Sequence, residues 1–160
     1  MKHLKLIFAC LLTAFFSIGQ VWAETVEFTP SNTTSWNSTQ GSQSQTLSGI
    51  TLSSTNAANN TQLRLYSGGT HTFTSTVGNI TSIVFTCTAN GTANYGPGKL
   101  SGTGYTASSG KTGEWTGSAA EVTISGGQAR CTSILVTYTP SGGDPDPTVS
   151  LTPSSLDLDA

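Results

Sequence analysis

The sequence predicts an all-β fold, a two-layer antiparallel β-sandwich of jelly-roll or immunoglobulin-like type with about eight or nine strands. Three observations carry this expectation. Ser and Thr supply 50 of the 160 residues and Gly another 18, a composition that favours strands and turns over helices. Between Glu24 and Thr139, short stretches alternate apolar and polar residues with a period of two, which places every second side chain on one face. Clusters of Gly, Asn and Ser separate those stretches, and no helical period occurs beyond the amino-terminal segment.

That segment has its own pattern. Lys2, His3 and Lys5 form a positive start, and the apolar run from Leu6 to Phe16 is well short of the roughly 20 residues a membrane span needs. Val21-Trp22-Ala23 then supplies small side chains at the first and third positions before a cleavage point. Residues 1–23 therefore read as a signal peptide cut between Ala23 and Glu24, and the expected location is secreted or cell surface. Cys10 lies inside the apolar run, too early and behind residues too bulky for a lipid-attachment box. No transmembrane segment is expected in the mature chain. Loss of the leader removes Lys2 and Lys5, leaving four basic residues against eight acidic ones, and Asp144, Asp146, Asp157 and Asp159 all lie near the carboxyl terminus. A body this close to neutral is neither a basic nucleic-acid surface nor an acidic solvating tail.

Within the body, residues 24–139, the alternation can be followed strand by strand. Leu63 and Leu65 share a face opposite Gln62, Arg64 and Tyr66; Ile83, Phe85 and Cys87 alternate with Val84 and Thr86. Val122 and Ile124, then Ile134, Val136 and Tyr138, repeat the pattern. Ser67-Gly68-Gly69, Gly78-Asn79, Asn90-Gly91, Gly96-Pro97-Gly98, Ser109-Gly110 and Gly126-Gly127 fall between these runs, where the chain must reverse. The length suits one hydrophobic core. Phe28, Phe73, Phe85, Tyr138 and Trp115, the last flanked by Gly113 and Gly117, are its expected large members. Residues 140–147, Pro-Ser-Gly-Gly-Asp-Pro-Asp-Pro, read as a domain linker. Residues 148–160 read as the truncated first strand of a following β domain, so the chain is expected to be a fragment of a longer protein.

Cys87 and Cys131 remain after the leader is removed, each in a strand-like run, and export makes a disulfide between them the expectation. Two buried free thiols are the alternative. Motifs that suggest chemistry lack the context it needs. Gly102-Thr103-Gly104-Tyr105-Thr106-Ala107 has dinucleotide-fingerprint spacing and Ser108-Ser109-Gly110-Lys111 has an S-x-x-K pattern, but neither opens a helix. Gly104 and Gly110-Lys111-Thr112 miss phosphate-loop spacing by one residue. His71, the one histidine after the leader, reads as a surface position on a strand, and Glu114 and Glu121 as solvated carboxylates flanking a hairpin. Five Asn-x-Ser/Thr sequons, at Asn32, Asn37, Asn59, Asn79 and Asn90, matter only in a eukaryotic secretory pathway. No catalytic set, metal or other cofactor is expected, and the chain reads as a non-enzyme. The remaining candidates are aromatics: Trp36, Tyr95 and Tyr105 sit among Asn, Ser and Gly in loop-like stretches, where flat rings can stack on sugars.

Several segments together carry a resemblance. Leu63-Arg64-Leu65-Tyr66-Ser67-Gly68-Gly69-Thr70, Ile80 to Cys87, Gly113-Glu114-Trp115-Thr116-Gly117-Ser118-Ala119, Val122-Thr123-Ile124 and Gln128 to Tyr138 resemble, in that order, an uncharacterised β-sandwich module. Such modules occur in secreted and surface proteins of gut and oral Gram-negative bacteria. The resemblance covers roughly residues 25–139, and Val149 to Ala160 resembles the first strand of a bacterial immunoglobulin-like repeat, which often follows. It implies surface display, further immunoglobulin-like domains beyond this chain, and binding or adhesion to an extracellular glycan or host surface. It supplies no catalytic residues, and Cys131 stands where the module would carry Ile or Val. A structural spacer, or an accessory to a hydrolase elsewhere in the longer protein, is the competing expectation.

Overall fold

The computed structural model describes residues 22–141, which form eleven strands and one short 3-10 turn. The strands are β1 (Glu24–Phe28), β2 (Gly41–Leu47), β3 (Ile50–Asn59), β4 (Leu63–Leu65), β5 (Thr70–Ser75) and β6 (Gly78–Cys87), then β7 (Leu100–Ser101), β8 (Tyr105–Ala107), β9 (Thr112–Ala119), β10 (Glu121–Gly126) and β11 (Ala129–Pro140). The turn is Pro97–Lys99. The all-β antiparallel expectation holds. The strand count exceeds it because β4, β7 and β8 are three residues or fewer, too short to show a period. Residues 1–21 and 142–160, which hold most of the expected leader and linker and all of the expected following strand, lie outside the described residues, and Pro140 belongs to the end of β11, opposite Gly78.

Hydrogen bonding runs β7-β10-β5-β3-β4-β11-β6-β9-β8, with β2 on the free side of β3 and β1 against β11. Folding this path at β4 gives two layers. One holds β2, β3, β5, β10 and β7, the other β1, β11, β6, β9 and β8, and β4 pairs with β3 on one side and β11 on the other. The alternating residues then meet between the layers, as the sequence pattern requires. Phe73 of β5 projects between Phe28 of β1 and Phe85 of β6 from the opposite layer, with centroids 6.5 and 5.8 Å away in edge-to-face geometry. Ile50, Leu52, Leu63, Leu65, Ile80, Ile83, Ile124, Ile134 and Val136 fill the space around this row and are fully buried. Trp115 joins them, 8% exposed, its indole N–H donating to the Thr103 carbonyl at 2.9 Å. Among the described residues no helix is long and apolar enough to cross a membrane.

β3 changes parity partway along. Ile50, Leu52 and Ser54 face inward, and the next inward residue is Ala57, three positions on. β2 steps by two, from Gln43 opposite Ser54 to Gly41 opposite Ala57, so the extra residue is a bulge on β3. The bend carries the carboxyl-terminal part of β3 to β4 and so to the junction between the layers.

Candidate functional site

The three aromatic candidates do not share a surface. Trp36 is 4% exposed and packs in the core, because the loop after β1 folds inward: Asn59 Nδ2 donates to the carbonyls of Pro30 and Thr33 at 2.8 and 2.9 Å, and Thr33 is fully buried. Tyr105 sets its ring edge-on to Phe85 at 5.7 Å, and its hydroxyl donates to the Pro97 carbonyl at 2.9 Å. Burial first, and then the nearby cysteines, push that hydroxyl's pKa well up. Trp36 thus offers no open face of the kind the sequence suggested, while Tyr105 is half-buried and tied to the protein by its edge and its hydroxyl.

Tyr95 is also half-buried, and is held differently. It precedes the Pro97–Lys99 turn in a loop held by Ala93 N–H to the Asn90 carbonyl and Gly96 N–H to the Ala93 carbonyl, both at 3.0 Å. A Cβ on Gly96 would collide with the Gly91 carbonyl, so only glycine lets these two passes of the loop touch. Tyr95 itself has φ +74°, the left-handed region, an uncommon conformation for a bulky residue. Its carbonyl accepts the Arg130 N–H at 3.3 Å, and the Arg130 guanidinium lies 3.7 Å from the centre of its ring, a cation–π stack. Arg130 points outward from β11 because its neighbours Ala129 and Cys131 point inward. Directly opposite it on β4 is Arg64, outward for the same reason between Leu63 and Leu65. Asn90 to Ala93, Gly98 and Ala107 to Ser109 line an open groove of about 590 Å³ whose walls mix hydroxyls, an amide and backbone with the methyl groups of Ala93 and Ala107.

The titratable groups elsewhere fall apart as sites. His71 is fully buried on β5, not on the surface as its Thr-rich surroundings suggested; it shares the inward parity of Phe73. Its Nδ1 lies 2.8 Å from Ser54 Oγ, which also accepts the Asn56 N–H at 3.2 Å. Burial lowers the imidazole pKa to about 4, and Nε2 is buried with no partner. This is a serine–histidine contact sealed from solvent, and no acid completes it among the described residues. Glu114 and Glu121 do not flank a shared cleft: β9 and β10 belong to different layers, and Glu114 accepts a hydrogen bond from Ser82 Oγ at 2.7 Å. Gly102 to Ala107 spans β7 to β8, and Ser108 to Lys111 is the turn from β8 to β9. Among the described residues no three His, Cys, Asp or Glu side chains gather as metal ligands.

Cys87 and Cys131 are free, buried and directly opposed on β6 and β11, with sulfurs 3.8 Å apart. The Thr88 N–H donates to the Arg130 carbonyl, which makes the cysteines a non-hydrogen-bonded pair, the closer of the two antiparallel arrangements. Hydrogen bonding to Cys87 and burial hold the Cys131 thiol well above its ordinary pKa.

Sequence reasoning singled out Tyr95 and the cysteines but passed over the arginines. Their outward parity was legible; their pairing was not. Searches against family descriptions, curated proteins and solved structures return no match to this chain.

Proposed function

We propose that this chain is an exported, non-catalytic binding module of a larger secreted or surface protein, and that its ligand is an extracellular glycan or a glycan-bearing host surface. The observation that carries the reading is Tyr95, a half-buried aromatic ring set by a left-handed backbone and a stacked arginine, in the same loop whose earlier residues Asn90 to Ala93 line an open groove. A preset ring beside hydroxyl, amide and peptide groups is the equipment a sugar site uses. The leader-like amino terminus and the resemblance to surface modules support the location.

The test is a glycan array and a polysaccharide pull-down with the secreted full-length chain, alongside Tyr95→Ala with its fold checked by circular dichroism. The expected result is retention on at least one glycan class and roughly tenfold weaker retention of the variant, the loss of about one stacking contact. A folded chain that retains no glycan and no host cell refutes the reading.

A spacer is the second reading, and one observation favours it. The outer face of the first layer is covered with hydroxyls that bond one another, Ser44 with Ser53 at 3.1 Å, Thr46 with Thr51 at 2.8 Å and Thr72 with Thr123 at 3.2 Å. Such a face satisfies itself and recruits nothing. On this reading Tyr95→Ala changes no property of the full-length protein except stability.

A further inference from the structure

We infer that Arg64 and Arg130 form a clamp for an oxyanion, so that the glycan class this module takes is acidic, carrying carboxylates or sulfate esters. The inference deepens the binding reading above and rests on it for the word glycan, though the anion site stands on its own geometry.

The chain contains two arginines, and the fold sets them directly opposite each other. The pairing is of the close type. The Arg130 N–H donates to Tyr95 and its carbonyl accepts from Thr88, so both its peptide groups face away from β4. Arg64 and Arg130 are therefore a non-hydrogen-bonded pair, whose Cα atoms lie about 4.5 Å apart and whose side chains leave the sheet side by side. Like charges in that position repel and destabilise a sheet. Nothing described offsets them. Glu27 and Glu24 on β1 stand opposite Leu135 and Tyr138, five or more residues along β11 from Arg130, which at about 3.4 Å per residue is roughly 17 Å or more. Glu114 faces Val84, itself opposite Leu135, and Glu121 lies in the other layer. The Nε atoms of both arginines are buried without a hydrogen-bond partner.

Two arginines opposed on neighbouring strands, with no counter-charge beside them among the described residues, suit one kind of guest. A carboxylate or sulfate accepts paired, charge-assisted hydrogen bonds from each fork and cancels the repulsion between them. Tyr95 supplies the preorganisation. Its ring holds the Arg130 plane in place before a ligand arrives, and the strained backbone under that ring is maintained by the Arg130 N–H bond. Ala58, opposite Arg64 on β3, contributes only a methyl group and is fully buried, so the row is covered at that end and open to a ligand only away from it.

The experiment has two arms on the full chain. In the first, thermal melts are recorded in sodium sulfate and in sodium chloride of matched ionic strength, for the wild type, Arg64→Gln, Arg130→Gln and Arg130→Lys. The expected result is a sulfate-specific rise in Tm of about 5 °C at ten times the sulfate Kd. Both Gln variants lose that rise while melting no lower than the wild type in chloride, and the Lys variant, which keeps the charge but lacks the fork, loses most of it. In the second arm, retention is compared on polygalacturonate, dextran sulfate and neutral dextran, which separates carboxylate from sulfate ester. Binding of at least one polyanion over dextran, reduced at least tenfold by either Gln variant, supports the inference. Equal melts in sulfate and chloride overturn it, as does polyanion retention that both Gln variants preserve. Neutral glycan retention that depends on Tyr95 but not on the arginines overturns the anion clamp and leaves the binding reading standing. Sulfate stabilisation through the arginines with no retention on any glycan does the reverse.

Discussion

His71 should make this protein sensitive to mild acid, and the size of the effect follows from its surroundings. The imidazole is fully buried between strands, its Nδ1 is committed to Ser54, and burial lowers its pKa from 6.5 to about 4. In the unfolded chain the same ring is solvated and takes a proton as the pH falls below about 6.5. Between those two values the unfolded state therefore binds a proton that the folded state refuses, and stability rises with pH. The contribution is fully present above about pH 6.5, declines as the pH falls towards 4, and shrinks no further below that. The gap corresponds to roughly 3 kcal/mol, a drop in Tm on the order of 10 °C for a body of this size.

The assay is urea denaturation at closely spaced pH values from 7.5 to 4, for the wild type and for His71→Gln. Glutamine retains an acceptor for the Ser54 hydroxyl and does not titrate, so the variant separates the proton from the packing. It is expected to start less stable than the wild type at pH 7.5, by about 1–2 kcal/mol for the altered contacts, and to lose much less on acidification. The reasoning fails if the wild type is equally stable at pH 7 and pH 4.5, or if the glutamine variant follows the wild-type curve in parallel.

Two further predictions come from close contacts. Gly78→Ala is expected to destabilise by about 2–4 kcal/mol, since φ is +151° and a Cβ would collide with the Thr139 carbonyl and lie 2.7 Å from the Ser141 nitrogen; early amide exchange at the end of β11 in the variant, with the β2–β3 pair unchanged, is the expected signature. Mild oxidation is expected to join Cys87 to Cys131, because a non-hydrogen-bonded pair with sulfurs at 3.8 Å needs only a small closure to reach bonding distance. The bridge would close a loop of some 45 residues and add about 4 kcal/mol less strain, read as loss of two titratable thiols and a raised Tm. Two thiols still titrating in denaturant after long exposure to oxidised glutathione would count against it.

The legible part of the fold was the part that obeys parity. Leu63 with Leu65, Ile83 with Phe85 and Cys87, and Ile134 with Val136 and Tyr138 alternate in the sequence because they alternate across a pleat, and all are buried. β2 escaped because it is a polar edge strand in which only Gln43 is buried, so it has no apolar beat to detect. His71 was misread through its chemistry although its parity with Phe73 placed it correctly. Trp36 was misread through its neighbours: Ser and Asn around it suggested a surface loop, whereas Asn59 ties that loop's carbonyls down and turns the indole inward. The arginine pair depends on β4 meeting β11 across more than sixty residues of intervening chain, and a register of that kind is set by packing at the layer junction, beyond any local pattern.

That register is nonetheless tightly determined, and this is what gives the arginine pair weight. Leu63-Arg64-Leu65 and Ala129-Arg130-Cys131 each place a charge between two inward residues. A slip of β4 by one residue would exchange its faces and turn Arg64 into the core, where burying an unpaired guanidinium is costly. A slip by two would keep the faces but set Leu63 or Leu65 off the end of the three-residue match to β11 and to β3, where Ala57 and Asn59 hold the same strand from the other side. The strand is thus fixed from both edges by its leucines. The two arginines are opposed because the apolar packing leaves them no other arrangement, and the repulsion between them persists in the folded state until something negative arrives.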